Sequence, residues 1–97
     1  MPLRREDLRD ALAQLTGWVR EARELRRSLR LDESQHAALT ERIKVVADAL
    51  QVHPDIRRKD GQTQITLRTA DGGPVTADEV RLAARIEDIY HVVSARR

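Results

Sequence analysis

A two-residue turn, Asp60-Gly61, constrains the fold of this chain more than any other feature of its sequence. Both residue types tolerate the positive φ angles that the tightest β-hairpin turns require. Counting outward from the turn places Ile56 on one strand opposite Ile65 on the next. The turn and the hydrophobic pattern therefore predict the same hairpin register, with one apolar face.

Other segments carry the periodicities of strands and helices. Leu25, Leu29 and Leu31 alternate with polar residues, which predicts a strand, and a partner strand is expected around residues 19–23. Three further segments repeat apolar residues every three or four positions, which predicts three helices with one apolar stripe each. The stripes are Leu8, Ala11, Leu12 and Leu15, then Leu39, Ile43, Val46 and Leu50, and finally Leu82, Ile86, Ile89 and Val93.

Capping residues predict where the helices begin and end. Gly17 is expected to end the first helix, and Asp32 or Ser34 can cap the start of the second. Pro54 is expected to end that second helix at His53, because the residue before a proline avoids helical angles. The element order α-β-β-α-β-β-α predicts one α+β domain over residues 1–97, with three helices packed on one face of a four-stranded antiparallel sheet.

Composition and charge narrow the functional classes. The chain has 97 residues and no cysteine, which excludes disulfides and thiolate catalysis. It has neither an apolar run of about 20 residues nor a signal-peptide pattern, so we expect a cytoplasmic protein that does not act at membranes. Acids interleave with the bases and the net charge is only +2, so no nucleic-acid surface is expected. A core with only Trp18 and Tyr90 as aromatics is small, and self-association would stabilise it.

Five motifs resemble those of one family, the pterin-4a-carbinolamine dehydratases. Gly17-Trp18 matches a Gly-Trp before the first strand, and residues 25–31 match its Leu-x-Arg-x-Phe-x-Phe strand with aliphatic replacements. Val52-His53-Pro54-Asp55 matches the signature His-His-Pro-Asp/Glu, and Thr69-Ala70 matches a Thr-His pair. Residues 74–79, Pro-Val-Thr-Ala-Asp-Glu, match the helix start Gly-Leu-Thr-x-x-Asp. The spacings between these motifs fit without a gap.

The resemblance implies an assembly, a reaction and a site. It implies dimers that join two sheets side by side, often paired into tetramers, and a pterin pocket where the histidine turn meets residues 69–72. The family removes water from a 4a-hydroxytetrahydropterin, and histidine suits the proton transfers because its pKa lies near neutrality. His53 is the implied catalytic residue, with no metal and no further cofactor. The implied pterin-binding residues are Trp18, Pro54, Asp55, Thr69, Asp71 and Glu79.

Two of the three family histidines are replaced, and Asp60 stands where a tyrosine is usual. Val52 and Ala70 cannot transfer a proton, and each lost acid–base group costs about 10²–10⁴-fold in rate. We therefore expect an eroded site that dehydrates 4a-hydroxytetrahydrobiopterin poorly or not at all. The protein would then act as a binding or assembly module for a protein partner. The alternative is an active dehydratase, or a related small-molecule lyase, that uses His53.

Each candidate residue also has a purely structural interpretation. His53 can cap the carbonyl end of the second helix, and Asp55 can be an edge charge that deters sheet aggregation. Glu79 has the spacing of a capping box with Thr76. Trp18 can be a core residue or a pocket wall.

The other two histidines, His36 and His91, lie on predicted helices. No cysteine or acidic residue has the spacing from them that a metal site needs. We expect both to be exposed and to bind no metal.

Overall fold

A computed structural model of the chain describes residues 15, 17–21, 23–69 and 72–95. Within that part, two helices pack on a four-stranded antiparallel sheet of order β1-β2-β4-β3. The strands are β1 Val19–Glu21, β2 Glu24–Arg30, β3 Asp55–Lys59 and β4 Gln62–Arg68, and the helices are α1 Glu33–Leu50 and α2 Ala77–Ala95. The predicted α+β class and sheet are confirmed. The predicted first helix, with Leu8, Ala11 and Leu12, lies outside the described residues.

The β3–β4 hairpin has the predicted turn and register. Asp60 and Gly61 have φ angles of 53° and 76°, as a two-residue turn with two positive φ angles requires. Ile56 pairs with Ile65, whose side chain is completely buried. Because β3 has β4 as its one neighbour in the described sheet, it is an edge strand.

The core lies between the sheet and the two helices, where every predicted stripe in the described part contributes residues. β2 contributes Leu25 and Leu29, and the strand pattern around them is confirmed. The helix stripes are confirmed as well. The residues that are buried or packed against the core include Leu39, Ile43, Val46 and Leu50 of α1, and Leu82, Ile86, Ile89 and Val93 of α2. No helix of the described part has the length and apolar character that a bilayer crossing requires.

Both helices begin at side-chain caps. Asp32 Oδ1 accepts the backbone N–H of Gln35 at 2.8 Å, and Gln35 Oε1 accepts that of Asp32 at 3.0 Å. At the start of α2, Glu79 Oε1 accepts the backbone N–H of Thr76 at 2.8 Å, while the Thr76 hydroxyl accepts that of Asp78 at 3.3 Å. Of the two predicted caps of α1, Asp32 is therefore the one that forms.

The expected end of α1 at His53 is wrong, since the helix ends at Leu50. Gln51 follows in the left-handed conformation, with φ 56°, and its N–H bonds to Asp48 O at 3.2 Å. The Val52 N–H then bonds to Ala47 O at 3.0 Å. This is the Schellman arrangement, in which backbone N–H groups satisfy the last carbonyls. The interpretation of His53 as the helix cap is therefore wrong too, and its side chain is exposed.

Candidate functional site

The candidate site lies where the chain enters β3 and leaves β4. The ladder between these strands stops at the pair Asp55 and Thr66. Pro54, the residue before, has no N–H to continue it. The same register, extended two residues further, brings His53 level with Arg68. Beyond this point the two strands are no longer paired, and a hollow lies on each side of the His53 turn.

The first hollow, which we call the β4-side hollow, has a volume of about 240 Å³. Its lining combines a buried apolar side chain, a buried carboxylate and exposed basic groups: Gln51, Val52, His53, Arg68, Thr69 and Glu79. Val52 and Glu79 are buried, whereas His53 and Arg68 are exposed. The Thr69 hydroxyl donates to Gly73 O at 2.9 Å, which ties the end of β4 to the segment before α2.

The carboxylate in this hollow is already engaged. Glu79 is 3% exposed, and its Oε1 accepts both the Thr76 backbone N–H at 2.8 Å and the Thr76 hydroxyl at 3.0 Å. That hydroxyl also lies 2.9 Å from Glu79 Oε2. The carboxylate belongs to the first turn of α2, where unpaired backbone N–H groups favour negative charge. The capping interpretation of Glu79 is confirmed.

The second hollow, the α1-side hollow, has a volume of about 500 Å³. It lies between the second half of α1 and the start of β3, with the lining Thr40, Lys44, Ala47, Asp48, Val52, His53, Pro54, Asp55 and Ile56. Val52 and His53 line both hollows. The His53 turn is therefore the wall that the two hollows share.

The structure brings together some of the sequence-predicted site residues. His53, Thr69 and Glu79 line the β4-side hollow, and Pro54 and Asp55 line the α1-side hollow next to it. Asp71 lies outside the described residues. Trp18 lines neither hollow.

Trp18 instead belongs to a polar cluster beneath α2. Its indole Nε1 donates to Glu87 Oε1 at 2.7 Å, and the Arg27 guanidinium donates to the same oxygen at 2.9 Å. The Arg27 guanidinium also lies 5.9 Å from the centre of the Tyr90 ring, within cation–π range. We call these four residues the Glu87 cluster. With 9% exposure, Trp18 is a core residue.

A third concavity, the sheet groove, lies on the side of the sheet that faces away from the helices. It measures about 340 Å³ and has a strongly charged lining of Arg26, Arg27, Ser28, Asp55, Arg57, Gln64, Ile65, Thr66 and Arg68. Arg26 is bound by Glu24 at 2.5 Å and by Glu21 at 3.2 Å. The hydrogen bond and charge of Glu24, with the charge of Glu21, raise the pKa of the Arg26 guanidinium.

Two features were missed by sequence reasoning, one in the site and one away from it. Arg68 lines both the β4-side hollow and the sheet groove, and the register count from the turn could have found it. His36, expected to be exposed, is half-buried, and its Nδ1 lies 2.8 Å from the hydroxyl of the buried Thr63. That contact joins two elements distant in the sequence, so no local signal indicates it. The described residues hold no group of three or more His, Cys, Asp or Glu side chains suited to a metal ion.

Fold and site together define a class: an α+β protein whose helices cover one face of an antiparallel sheet, with a histidine and a buried carboxylate sharing a hollow at the helix-to-strand junction. A family model, pterin 4 alpha carbinolamine dehydratase, matches residues 1–89. The chain belongs to this family, which confirms the resemblance stated from its motifs.

Individual relatives agree with this family. A protein of Roseiflexus castenholzii is 32% identical over 86% of this chain and 90% of its own length, and one of Streptomyces avermitilis is 33% identical over 91% and 89%. Both carry the name "putative pterin-4-alpha-carbinolamine dehydratase". The crystal structure of a transcriptional coactivator/pterin dehydratase from Brucella melitensis matches with a TM-score of 0.80 at 24% identity, over 93% of this chain and 99% of that one. This last likeness shows the shared fold.

Proposed function

We propose that this protein binds a pterin in the β4-side hollow and dehydrates 4a-hydroxytetrahydropterins slowly or not at all. The observation that carries the proposal is the pairing of Val52 and His53 at the shared wall of the hollows. Val52 is 5% exposed and cannot ionise, whereas His53 is exposed beside it. One imidazole stands in the described hollow where the family signature has two adjacent histidines.

The reaction explains why this loss matters. Dehydration breaks the C4a–O bond, and the leaving oxygen needs a proton to depart as water. A ring nitrogen gives up a proton in the same process, so both an acid and a base are required. With His53 alone, one imidazole must give a proton and later recover one, and each missing acid–base group costs about 10²–10⁴-fold. Glu79 is a poor substitute, because Thr76 already donates to both of its oxygens.

Stopped-flow dehydration of 4a-hydroxytetrahydropterin tests this proposal. We compare the wild type with His53→Ala and with the matched control His91→Ala, which removes an exposed histidine of α2 that lines neither hollow. The expected wild-type rate is close to that of buffer, with pterin binding detectable by calorimetry. Absence of pterin binding would overturn the proposal.

The second candidate is an active dehydratase, or a related small-molecule lyase, that works through His53. Its supporting observation is that the His53 side chain has no hydrogen bond or ion pair within the described part of the chain, so its imidazole is available to a ligand. In the stopped-flow comparison, this candidate requires a wild-type rate far above buffer. That rate must fall in His53→Ala and persist in His91→Ala.

We also propose that the protein forms homodimers or tetramers and offers a surface to a protein partner. The support is the edge strand β3, together with Val45 and Val92 on the helices, whose side chains are 70% and 47% exposed. Edge strands readily pair with another chain. Light scattering after gel filtration should give at least twice the mass of one chain. A single-chain mass at about 100 µM would contradict self-association.

A further inference from the structure

We infer that the ligand of the β4-side hollow carries an anionic group, a carboxylate or a phosphate, which Arg68 binds beside His53. This inference rests on the proposed function, since it takes the hollow to be the pterin site. It goes further by naming a residue that the family motifs do not mark and by restricting the ligand to a charge class.

The first argument is position. Arg68 is the last residue of β4, and it lines the β4-side hollow together with His53. The β3–β4 register, extended past its last pair, sets these two residues level with each other. A ligand that contacts the imidazole therefore lies within reach of the long guanidinium side chain.

The second argument is that Arg68 is available. Two other arginines of the sheet groove already bind acids: Arg26 is bound by Glu24 and Arg57 by Asp55. The Arg68 side chain is exposed and makes no ion pair or hydrogen bond within the described residues. Glu24 is its partner across the β2–β4 ladder, but that carboxylate is held by Arg26.

The third argument is that the carboxylate in the hollow forms no ion pair with Arg68. Glu79 accepts from the Thr76 backbone N–H and hydroxyl and lies at the N-terminal turn of α2. The hydrogen bonds of this carboxylate are therefore directed to the start of α2 and not to Arg68. Arg68 stands at the rim with a planar fork of donors, the geometry that matches the oxygens of a carboxylate or phosphate.

Binding two pterins that differ in one substituent tests the inference. One carries a carboxylate on ring position 6 and the other a methyl group there. Calorimetry at low ionic strength compares the wild type, Arg68→Gln and the control Arg30→Gln. Arg30 is exposed on the same sheet face, six positions away along the β4 register, and forms no ion pair in the described part.

We expect the wild type to bind the carboxylate form about tenfold more tightly, the size of one charge-assisted contact. Arg68→Gln should lose this preference, and Arg30→Gln should keep it. Equal affinities in the wild type, or a preference that survives in Arg68→Gln, would overturn the inference while leaving pterin binding intact.

A second measurement separates failure of the inference from failure of the proposed function. If neither pterin binds, the proposed function is refuted. Inorganic phosphate is then titrated into the protein while NMR follows the His53 imidazole. Saturable shifts that disappear in Arg68→Gln but persist in Arg30→Gln would uphold the anion site. Shifts that are absent, or equal in both variants, would reject it.

Discussion

The Glu87 cluster gives the sharpest test of how the fold is held together, through the substitution Glu87→Leu. The Glu87 carboxylate accepts from Trp18 at 2.7 Å and from Arg27 at 2.9 Å, and the ion-paired side chains are only 17% and 20% exposed. Removing one partner of a fully buried ion pair costs about 3–5 kcal/mol, and the partial exposure reduces this figure. An unpaired indole N–H adds about 1–3 kcal/mol. We expect a loss of about 3 kcal/mol in the free energy of unfolding.

Thermal unfolding followed by circular dichroism measures this loss. For a domain of this size, about 3 kcal/mol corresponds to a fall in Tm of about 12–24 °C. The double variant Arg27→Leu/Glu87→Leu should recover the part of the loss that comes from the unpaired charge, while the unpaired indole N–H of Trp18 remains. Glu24→Leu is the control, since its partner Arg26 is 55% exposed, and it should cost less than about 1 kcal/mol. A loss below about 1 kcal/mol in Glu87→Leu, or a double variant no more stable than the single one, would refute this reasoning.

Four further changes test the local structure by the same unfolding measurement. Asp32→Ala removes the cap of α1 and should cost about 1 kcal/mol, whereas an unchanged Tm would argue against the cap. Gln51→Gly should stabilise the protein by about 0.5–1 kcal/mol, because a left-handed φ of 56° strains glutamine but not glycine, and a loss of stability would contradict that conformation. Gly61→Ala should cost about 1–2 kcal/mol, because Gly61 has a positive φ that alanine disfavours, although a Cβ there would meet no neighbouring atom. Gly17→Ala should cost more, because its Cβ would also collide with the Arg27 guanidinium, and equal losses would exclude that contact.

Local signals predict much of the fold. The Asp60-Gly61 turn sets the hairpin register, because turn geometry and side-chain alternation act over a few residues. The caps at Asp32 and Thr76 are likewise decided within one helical turn. The predicted end of α1 was wrong because Gln51 adopts a left-handed conformation that usually favours glycine.

Features that depend on distant contacts could not be predicted. Arg27 interrupts an otherwise apolar strand face, and its partner Glu87 lies 60 residues away. The same carboxylate accepts a hydrogen bond from Trp18, which lies in the core beneath α2. The implied role of this tryptophan in the pterin pocket therefore has no support from its position. Arg68 becomes a site residue only once the strand register is known. Sequence reasoning thus identified the His53 turn but not Arg68, the charged residue that lines the same hollow.

Restoring the missing histidines tests most directly whether the hollow has kept its shape and lost its acid–base groups. The measurement is the stopped-flow dehydration rate of Val52→His/Ala70→His against the wild type, at matched occupancy by pterin and with folding checked by circular dichroism. A site that lacks only proton-transfer groups should gain at least about 10²-fold in rate. An unchanged rate in a folded variant that still binds pterin would contradict the account.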